Sequence, residues 1–327
     1  MASMKNSKPY SVKNKLVPPL PKKIDIEPTI QCNFACSICQ RNYWDRRSKD
    51  LDLHQFQNIV RQFPELEEIK LQGMGEPLLN SEFFDMVRFA KDKGLRVSTY
   101  SNGSLLSNRE TRLKFLDSGI DLVRFSIDAA EKELFEKIRA GSDFKKVIEG
   151  IGEFNALANV NRSPKVEIWT VVLTSNVNNL ESIAQLAGEL GIDTIHLQVI
   201  LNTFSYKTEI QDMLGEFKVD KRRFEQICNG MKAVCESHSI ELIIESSKAY
   251  SKQKPCHWPF DRAFISVEGY VVPCCTIADP RVINMGNLFQ EEFRTIWSNK
   301  RYIEFRKSIL TNQLTSPCKS CYDYLAQ

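Results

Sequence analysis

The sequence predicts an α/β fold: an open, partial (β/α)6 barrel followed by a small Cys-rich α+β domain. Three observations predict it. Strand-like and helix-like segments alternate from about residue 24 to 200, each strand has one polar and one apolar face, and the alternation gives way after residue 200 to a chain ending in a cysteine-rich tail. The strand candidates are IDIEPTI (24–30), EIKLQG (68–73), LRVSTYSN (95–102), LVRFSID (122–128), VEIWTVVL (166–173) and TIHLQVI (194–200). Between them run LHQFQNIVRQF, SEFFDMVRFAKDKG and NLESIAQLAGELG, with apolar residues near helical spacing. Two of these end in glycine, Gly94 and Gly191, as helix C-termini often do. Six strand–helix units in succession imply a parallel sheet.

The faces of the strands narrow the architecture. Alternate residues give a polar face made of Glu27 and Thr29; Lys70 and Gln72; Ser98, Tyr100 and Asn102; Arg124, Ser126 and Asp128; His196 and Gln198. The opposite face carries Ile24 and Ile26, Val123, Phe125 and Ile127, and Ile195, Leu197 and Val199. A closed eight-stranded barrel fills its interior with bulky branched side chains, and a doubly wound sheet is apolar on both faces. An antiparallel sheet with one wet face is excluded by the helices between the strands. What remains is a partial barrel whose concave polar face holds ligands.

Residues 202–218 are irregular in pattern and 219–237 read as a helix. From residue 255 a Cys-rich tail contains a hairpin-like core, FISVEGYVVPCC, with Gly269 at its turn. The expected organisation is an N-terminal extension over 1–23, the barrel with a following linker and helix over 24–250, and the Cys-rich domain over 251–327. No internal repeat or low-complexity segment interrupts it.

Composition excludes several classes. The formal net charge is +3, and no basic stripe with interleaved aromatics marks a nucleic-acid surface. No apolar run approaches the roughly 18 residues of a membrane span. The basic N-terminus lacks an apolar core, so it is not a secretory signal and a cytoplasmic location is expected. There, clustered thiols more often bind metal than form disulfides, and this chain has ten cysteines, mostly clustered.

Directly after the first strand, CNFACSIC places Cys32, Cys36 and Cys39 in a Cys-x3-Cys-x2-Cys spacing. Structural zinc sites complete four protein ligands, whereas three thiols in one short loop leave a corner open. Iron–sulfur clusters are held by thiolates in runs of this kind, and an iron without a protein ligand can bind a small molecule.

Three further motifs follow in order. Gly73-Met74-Gly75-Glu76-Pro77 succeeds the second strand, Tyr100-Ser101-Asn102-Gly103 the third, and Phe125-Ser126-Ile127-Asp128 ends the fourth. All lie at C-terminal strand ends, the functional face of βα barrels. Together with the cysteine triplet they resemble the radical AdoMet (radical SAM) enzymes, over about residues 24–200. The resemblance implies a [4Fe–4S] cluster on Cys32, Cys36 and Cys39, with AdoMet chelating the open iron. It also implies that Gly73, Gly75, Glu76 and Pro77 approach the methionyl amine, and that Asn102 belongs to the same cofactor site. Ser126 and Asp128 would then suit the ribose hydroxyls. Arg139 would either reach the AdoMet carboxylate or be a solvated helix charge. Two departures stand out: Ile38 precedes the last cysteine where an aromatic residue is common, and Met74 replaces the second glycine of the loop.

Cys256, Cys274, Cys318 and Cys321, with Gly269 five residues before Cys274, resemble the SPASM/Twitch appendage of many such enzymes. The sequence given stops six residues after Cys321, so one auxiliary [4Fe–4S] cluster is expected, with four protein ligands. A Cys-x2-Cys pair is also a zinc signature, and Cys275 competes with Cys274 as ligand, the spacing from Gly269 favouring Cys274. Cys228 and Cys235 lie on one helix face, where a thiol is a small hydrophobe. Alternatively Cys228, Cys235 or Cys275 donates a hydrogen atom to a substrate radical, as in related epimerases. His196, Gln198, Glu167 and Trp169 face the cavity by alternation, His196 as a substrate contact or a hydrogen-bonded structural residue.

The resemblance implies an enzyme that reductively cleaves AdoMet to a 5′-deoxyadenosyl radical and abstracts a substrate hydrogen. The expected outcome is oxidation or epimerisation of a sugar, cyclitol or aminoglycoside-like small molecule, with an electron donor such as flavodoxin or ferredoxin. A peptide-modifying maturase is the alternative, and an iron–sulfur electron carrier or a zinc-binding module are the readings of a different class. An electron carrier has no need of the 73–77 loop or the Ser126/Asp128 pair.

Overall fold

The computed structural model describes residues 16–46, 49–199, 216, 219–245, 255–316 and 318–319. Its centre is one nine-stranded sheet in the order β7-β6-β5-β4-β3-β2-β1-β8-β9. The six expected strands are present as β1 (Lys23–Ile26), β2 (Glu68–Leu71), β3 (Arg96–Ser101), β4 (Leu122–Ser126), β5 (Lys165–Val171) and β6 (Thr194–Gln198). A seventh, β7 (Glu241–Glu245), was not legible, because ELIIE is short and has acidic ends. It continues the sheet in parallel beside β6.

Helices cover the apolar face. They are α1 (Leu53–Val60), α2 (Phe83–Asp92), α3 (Arg109–Asp117), α4 (Lys132–Ile138), α5 (Phe144–Asn161), α6 (Leu180–Glu189) and α7 (Lys221–Ser237). Helix α1 opens with a reciprocal Asp52/Gln55 cap, which satisfies two donors its first turn leaves free. It buries Phe56, Ile59 and Val60 on the strand side, where Ile24, Ile26, Ile69, Leu71, Val123 and Phe125 are also inaccessible. Gly94 and Gly191 end α2 and α6 with φ of +74° and +66°, as their positions predict. Among the described residues the sheet does not close on itself, β7 and β9 being its end strands, so the architecture is a partial barrel.

The tail joins this sheet. Strand β8 (Arg262–Ile265) pairs in parallel with β1, and β9 (Val271–Val272) folds back on β8 around Gly269, whose φ is +85°. Three short helices, α8 (Trp258–Asp261), α9 (Phe293–Ser298) and α10 (Lys300–Thr311), complete it. Arg306 is fully buried between the rings of Trp297 and Tyr302, 4.0 Å from each centroid, and donates to the carbonyls of Leu16, Pro259 and Trp297. One guanidinium thus ties three segments together through charge-assisted bonds. Phe293 packs on Phe63 at 4.3 Å and fixes the tail to the loop after α1.

Candidate active site

The loop after β1 carries Cys32, Cys36 and Cys39, and its backbone is pinned from three sides. Arg41 donates to the carbonyls of Cys32 and Phe34, and Asn42 donates to that of Cys36. The amides of Ala35 and Ser37 bond to the carbonyls of Ala140 and Ile138, so the loop lies along the end of α4. Burial pushes all three thiols up, Cys39 to about 11 with the charge of Cys36 adding to the effect. Among the described residues no three His, Cys, Asp or Glu side chains converge as ligands of a single ion do. Thiolates that serve separate irons of one cluster stand wider than that. The donor chemistry of this loop fits an iron–sulfur cluster.

Two glycines let the next loop press against it. A Cβ on Gly73 would lie 2.2 Å from Cγ of Glu27, and one on Gly75 would lie 2.3 Å and 2.5 Å from the carbonyl oxygens of Thr29 and Gln31. The amide of Glu76 closes the contact by donating to Gln31 O at 2.7 Å. Met74 has no such constraint, which explains how a side chain replaces a glycine there. Its sulfur accepts from Gln40 at 3.6 Å.

Glu76 is buried, and its carboxylate is committed within the protein. It accepts from Ser101 Oγ at 2.8 Å, Asn102 N at 2.7 Å and Leu78 N at 3.3 Å, the last at the start of the turn that Pro77 opens. Burial pushes its carboxyl up to about 7, with these donors opposing. Asn102 in turn donates to Asn33 at 2.9 Å, inside the cysteine loop. Glu76 and Asn102 therefore join three loops into one rim.

Arg139 is buried rather than solvated. It ion-pairs with Asp128 Oδ2 at 2.5 Å and acts electrostatically on Cys36. Its Nε is buried without a hydrogen-bond partner, an orphan donor at the edge of the thiol loop. Asp128 Oδ1 accepts from Val171 N at 2.9 Å. Strand β4 ends at Ser126, so strict alternation does not carry to Asp128, which is fully buried and positions Arg139 instead of lining the cavity. Ser126, at the strand end, remains half-buried on the polar face.

The polar face forms a continuous network. Asp25 accepts from Gln72 at 2.7 Å; Arg124 reaches Glu167 at 2.7 Å and Tyr100 Oη at 3.3 Å. His196 Nε2 and Nδ1 each lie 3.0 Å from a carboxylate, Glu167 and Glu245, and its ring stacks on Trp169 at 5.1 Å. Trp169 donates to Gln198 at 2.9 Å and meets Tyr100 edge-on. Burial by itself raises the Glu167 carboxyl, but bonds from His196 and Lys165 and the charge of Arg124 outweigh it and hold the group at about 2. Both His196 nitrogens are thus engaged by the protein.

The tail places two neighbouring thiols in different surroundings. Burial pushes Cys274 up, and the charges of Cys256 and Cys318 add to it. Burial also pushes Cys275 up, but its next contributor is Asp25, with Lys70 and Arg262 opposing. Cys274 therefore feels the other tail thiols most, and Cys275 the charges of Asp25, Lys70 and Arg262. Cys321 lies outside the described residues. Cys228 and Cys235 are buried with Met231 as a stripe on α7, in the core on the helix-covered side of the sheet, and neither meets the polar face.

Sequence reasoning missed the buried hub at the end of β1. Glu27 accepts from Met74 N at 3.0 Å and Val267 N at 3.1 Å and pairs with Arg46, which also holds Glu268 at 2.6 Å. It joins the glycine loop to the tail hairpin. An acidic residue closing the first strand was the available signal; its partners, distant in sequence, were not.

Comparison with known proteins agrees with this geometry. The family model of the radical SAM superfamily matches residues 26–187, and that of the SPASM iron–sulfur cluster-binding domain matches residues 256–322. The chain belongs to the radical SAM superfamily. Its C-terminal region is a SPASM domain, so AdoMet and [4Fe–4S] clusters are its cofactors, and iron–sulfur rather than zinc is the chemistry of the tail cysteines. The chain is 26% identical, over 92% of its length and 87% of the relative's, to the tungsten-containing aldehyde ferredoxin oxidoreductase cofactor-modifying protein of Pyrococcus furiosus. It is 23% identical to the AdoMet-dependent heme synthase of Oleidesulfovibrio alaskensis, over 90% of this chain and 78% of that one. Among solved structures, Streptococcus suis SuiB bound to S-adenosylmethionine superposes with a TM-score of 0.69 at 15% identity, over 90% of this chain and 70% of that one. Native anSMEcpe with bound AdoMet superposes with a TM-score of 0.68 at 17% identity, over 93% and 87%. These likenesses show the fold. No helix among the described residues is long and apolar enough to cross a membrane.

Proposed function

We propose that this radical SAM enzyme removes a hydrogen atom from a small sugar-, cyclitol- or aminoglycoside-like molecule held on the polar floor, and that oxidation or epimerisation at that carbon follows. The observation that carries the reading is the polar floor built by Arg124, Tyr100, Glu167, Trp169, His196 and Gln198, with Cys275 in the field of its neighbours Asp25 and Lys70. When bound, the cluster and AdoMet supply a carbon radical strong enough to break an unactivated C–H bond. Cys32, Cys36 and Cys39 would hold that cluster, and Cys256, Cys274, Cys318 and Cys321 a single auxiliary one. Arg139, aimed by Asp128, would meet the AdoMet carboxylate with its unpaired Nε. Gly73, Gly75 and Pro77 would shape the rim for the methionyl amine, which Glu76 and Asn102 brace, and Ser126 would meet the ribose. Glu167, Trp169, His196 and Gln198 would orient substrate, and Cys275 would return a hydrogen atom in an epimerisation. A flavodoxin or ferredoxin would supply electrons. The printed names of the relatives, a cofactor-modifying protein and a heme synthase, support a non-peptide substrate.

The test is anaerobic reconstitution, dithionite, AdoMet and a panel of polyols and peptides in D2O, with 5′-deoxyadenosine and product mass read together. About eight irons per chain, two four-iron clusters, are expected. One solvent deuterium in a polyol product, lost in C275S, indicates epimerisation; a product two mass units lighter indicates oxidation. Turnover of peptides alone overturns the small-molecule reading, and no 5′-deoxyadenosine with any partner overturns the whole.

A further inference from the structure

Tyr100 stands between two cations. Lys70 Nζ lies 5.4 Å from the centroid of its ring, and Arg124 Cζ lies 5.5 Å from it. The two cations are not equivalent. Arg124 is paired with Glu167 at 2.7 Å. Lys70 is half-buried on β2 and, among the described residues, has no hydrogen-bond acceptor and no carboxylate oxygen within 4 Å. The acid that acts on it most, Asp25, is buried and already accepts from Gln72. Burial opposes the charge on Lys70, but Asp25, Tyr100 and Cys275 together outweigh it and keep the group charged. An ammonium group carries three donors and no acceptor, and no hydrogen-bond partner among the described residues fills them. Cys275 lies in the field of the same lysine.

We propose that Lys70 receives an anionic group of the substrate, a carboxylate or a phosphate, so that within the proposed class the substrate is an acidic sugar or cyclitol rather than a neutral or aminoglycoside-like one. The inference rests on reading the polar floor as the substrate site. Binding there gives the ammonium an acceptor on the side away from the Tyr100 ring, whose face attracts cations and not anions, and brings the carbon skeleton into the neighbourhood of Cys275. Arg124 is already held by Glu167 and Tyr100, so Lys70 is the cation whose donors are left for the anion.

The experiment is calorimetry on the full-length, anaerobically reconstituted protein with AdoMet. Two matched sets serve as probes: D-glucose, D-glucuronate and D-glucose 6-phosphate, and guanosine with its monophosphate. At least one acidic member is expected to bind ten-fold or more tightly than its neutral counterpart, and glucuronate against glucose 6-phosphate separates carboxylate from phosphate. K70M is expected to lose that preference and K70R to keep most of it, with iron content and far-UV circular dichroism reporting that each variant is folded. Where K70M loses its iron, the wild-type preference and K70R decide. Equal binding of neutral and acidic members, or a preference that survives K70M, overturns the inference. Release of 5′-deoxyadenosine by the wild type is read separately: its absence sinks the proposed function, while its presence with no acid preference sinks this inference alone.

Discussion

The two cysteine sets reach their sites by different routes. Cys32, Cys36 and Cys39 come from eight consecutive residues of one loop, held by Arg41, Asn42 and the end of α4. Cys256, Cys274 and Cys318 come from segments far apart in the chain, gathered when β8 pairs with β1 and α10 packs through Arg306. The first set is a property of local spacing. The second depends on tertiary closure, whose entropy must be offset by packing before the thiols meet. A local set is read from sequence with its members assigned. A dispersed set is read with less: the spacing from Gly269 favoured Cys274 over Cys275, and the electrostatic surroundings of the two thiols agree with that choice.

The comparison can be broken most sharply at Cys36. C36S is expected to lower 5′-deoxyadenosine release at least 100-fold and remove about four irons, measured by mass spectrometry and iron assay. Retention of turnover would show that the local set is not the AdoMet site. The next contrast lies in the tail: C274S is expected to lose about four irons and C275S to retain the full complement. The reverse pattern would exchange the two thiols and remove Cys275 from the floor.

Smaller effects probe the supports. In G75A the new methyl would meet two backbone carbonyls at 2.3 Å and 2.5 Å, and neither can swing away as a side chain could. Chemical unfolding of the metal-free protein should show a loss of about 1–3 kcal/mol; an unchanged midpoint would mean that the loops are not pressed together. Glu167 gives the mildest contrast. Its carboxyl is held at about 2 against an ordinary value of 4.5, so its contribution is present above about pH 4.5 and disappears as the pH falls from there toward 2. E167Q should flatten that acid limb by up to roughly 3 kcal/mol, read as unfolding free energy at pH 7 and pH 3. An unaltered limb would remove the His196–Glu167–Arg124 network from the account.

The legible parts share one feature. Strands β1 to β6, the helices ending at Gly94 and Gly191, and the hairpin at Gly269 each follow from patterns a few residues long. Gly73 and Gly75 were visible as a motif, but their reason was not, because it lies in Glu27 and in the carbonyls of Thr29 and Gln31. Arg139 had two readings of similar weight. Burial beside Asp128 and Cys36 removes the solvated one. Cys228 and Cys235 shared a helix face in either reading, and only the packing of α7 shows that this face meets the apolar core. Alternation placed Ser126 on the polar face and overreached at Asp128, where the strand had already ended.

By itself, the sequence determined the parallel α/β order, the polar concave face and a three-thiol loop with one open corner. Periodicity and spacing report on neighbours within a turn or a strand, and those features need no more. Only the tertiary structure decided that the tail hairpin extends the barrel sheet, that Glu27 and Arg46 lock it to the glycine loop, and that Cys275 lies in the field of Lys70 and Asp25. Those pairings join residues tens to hundreds of positions apart. Their geometry is set by which apolar faces bury together, and no local pattern in the chain encodes it.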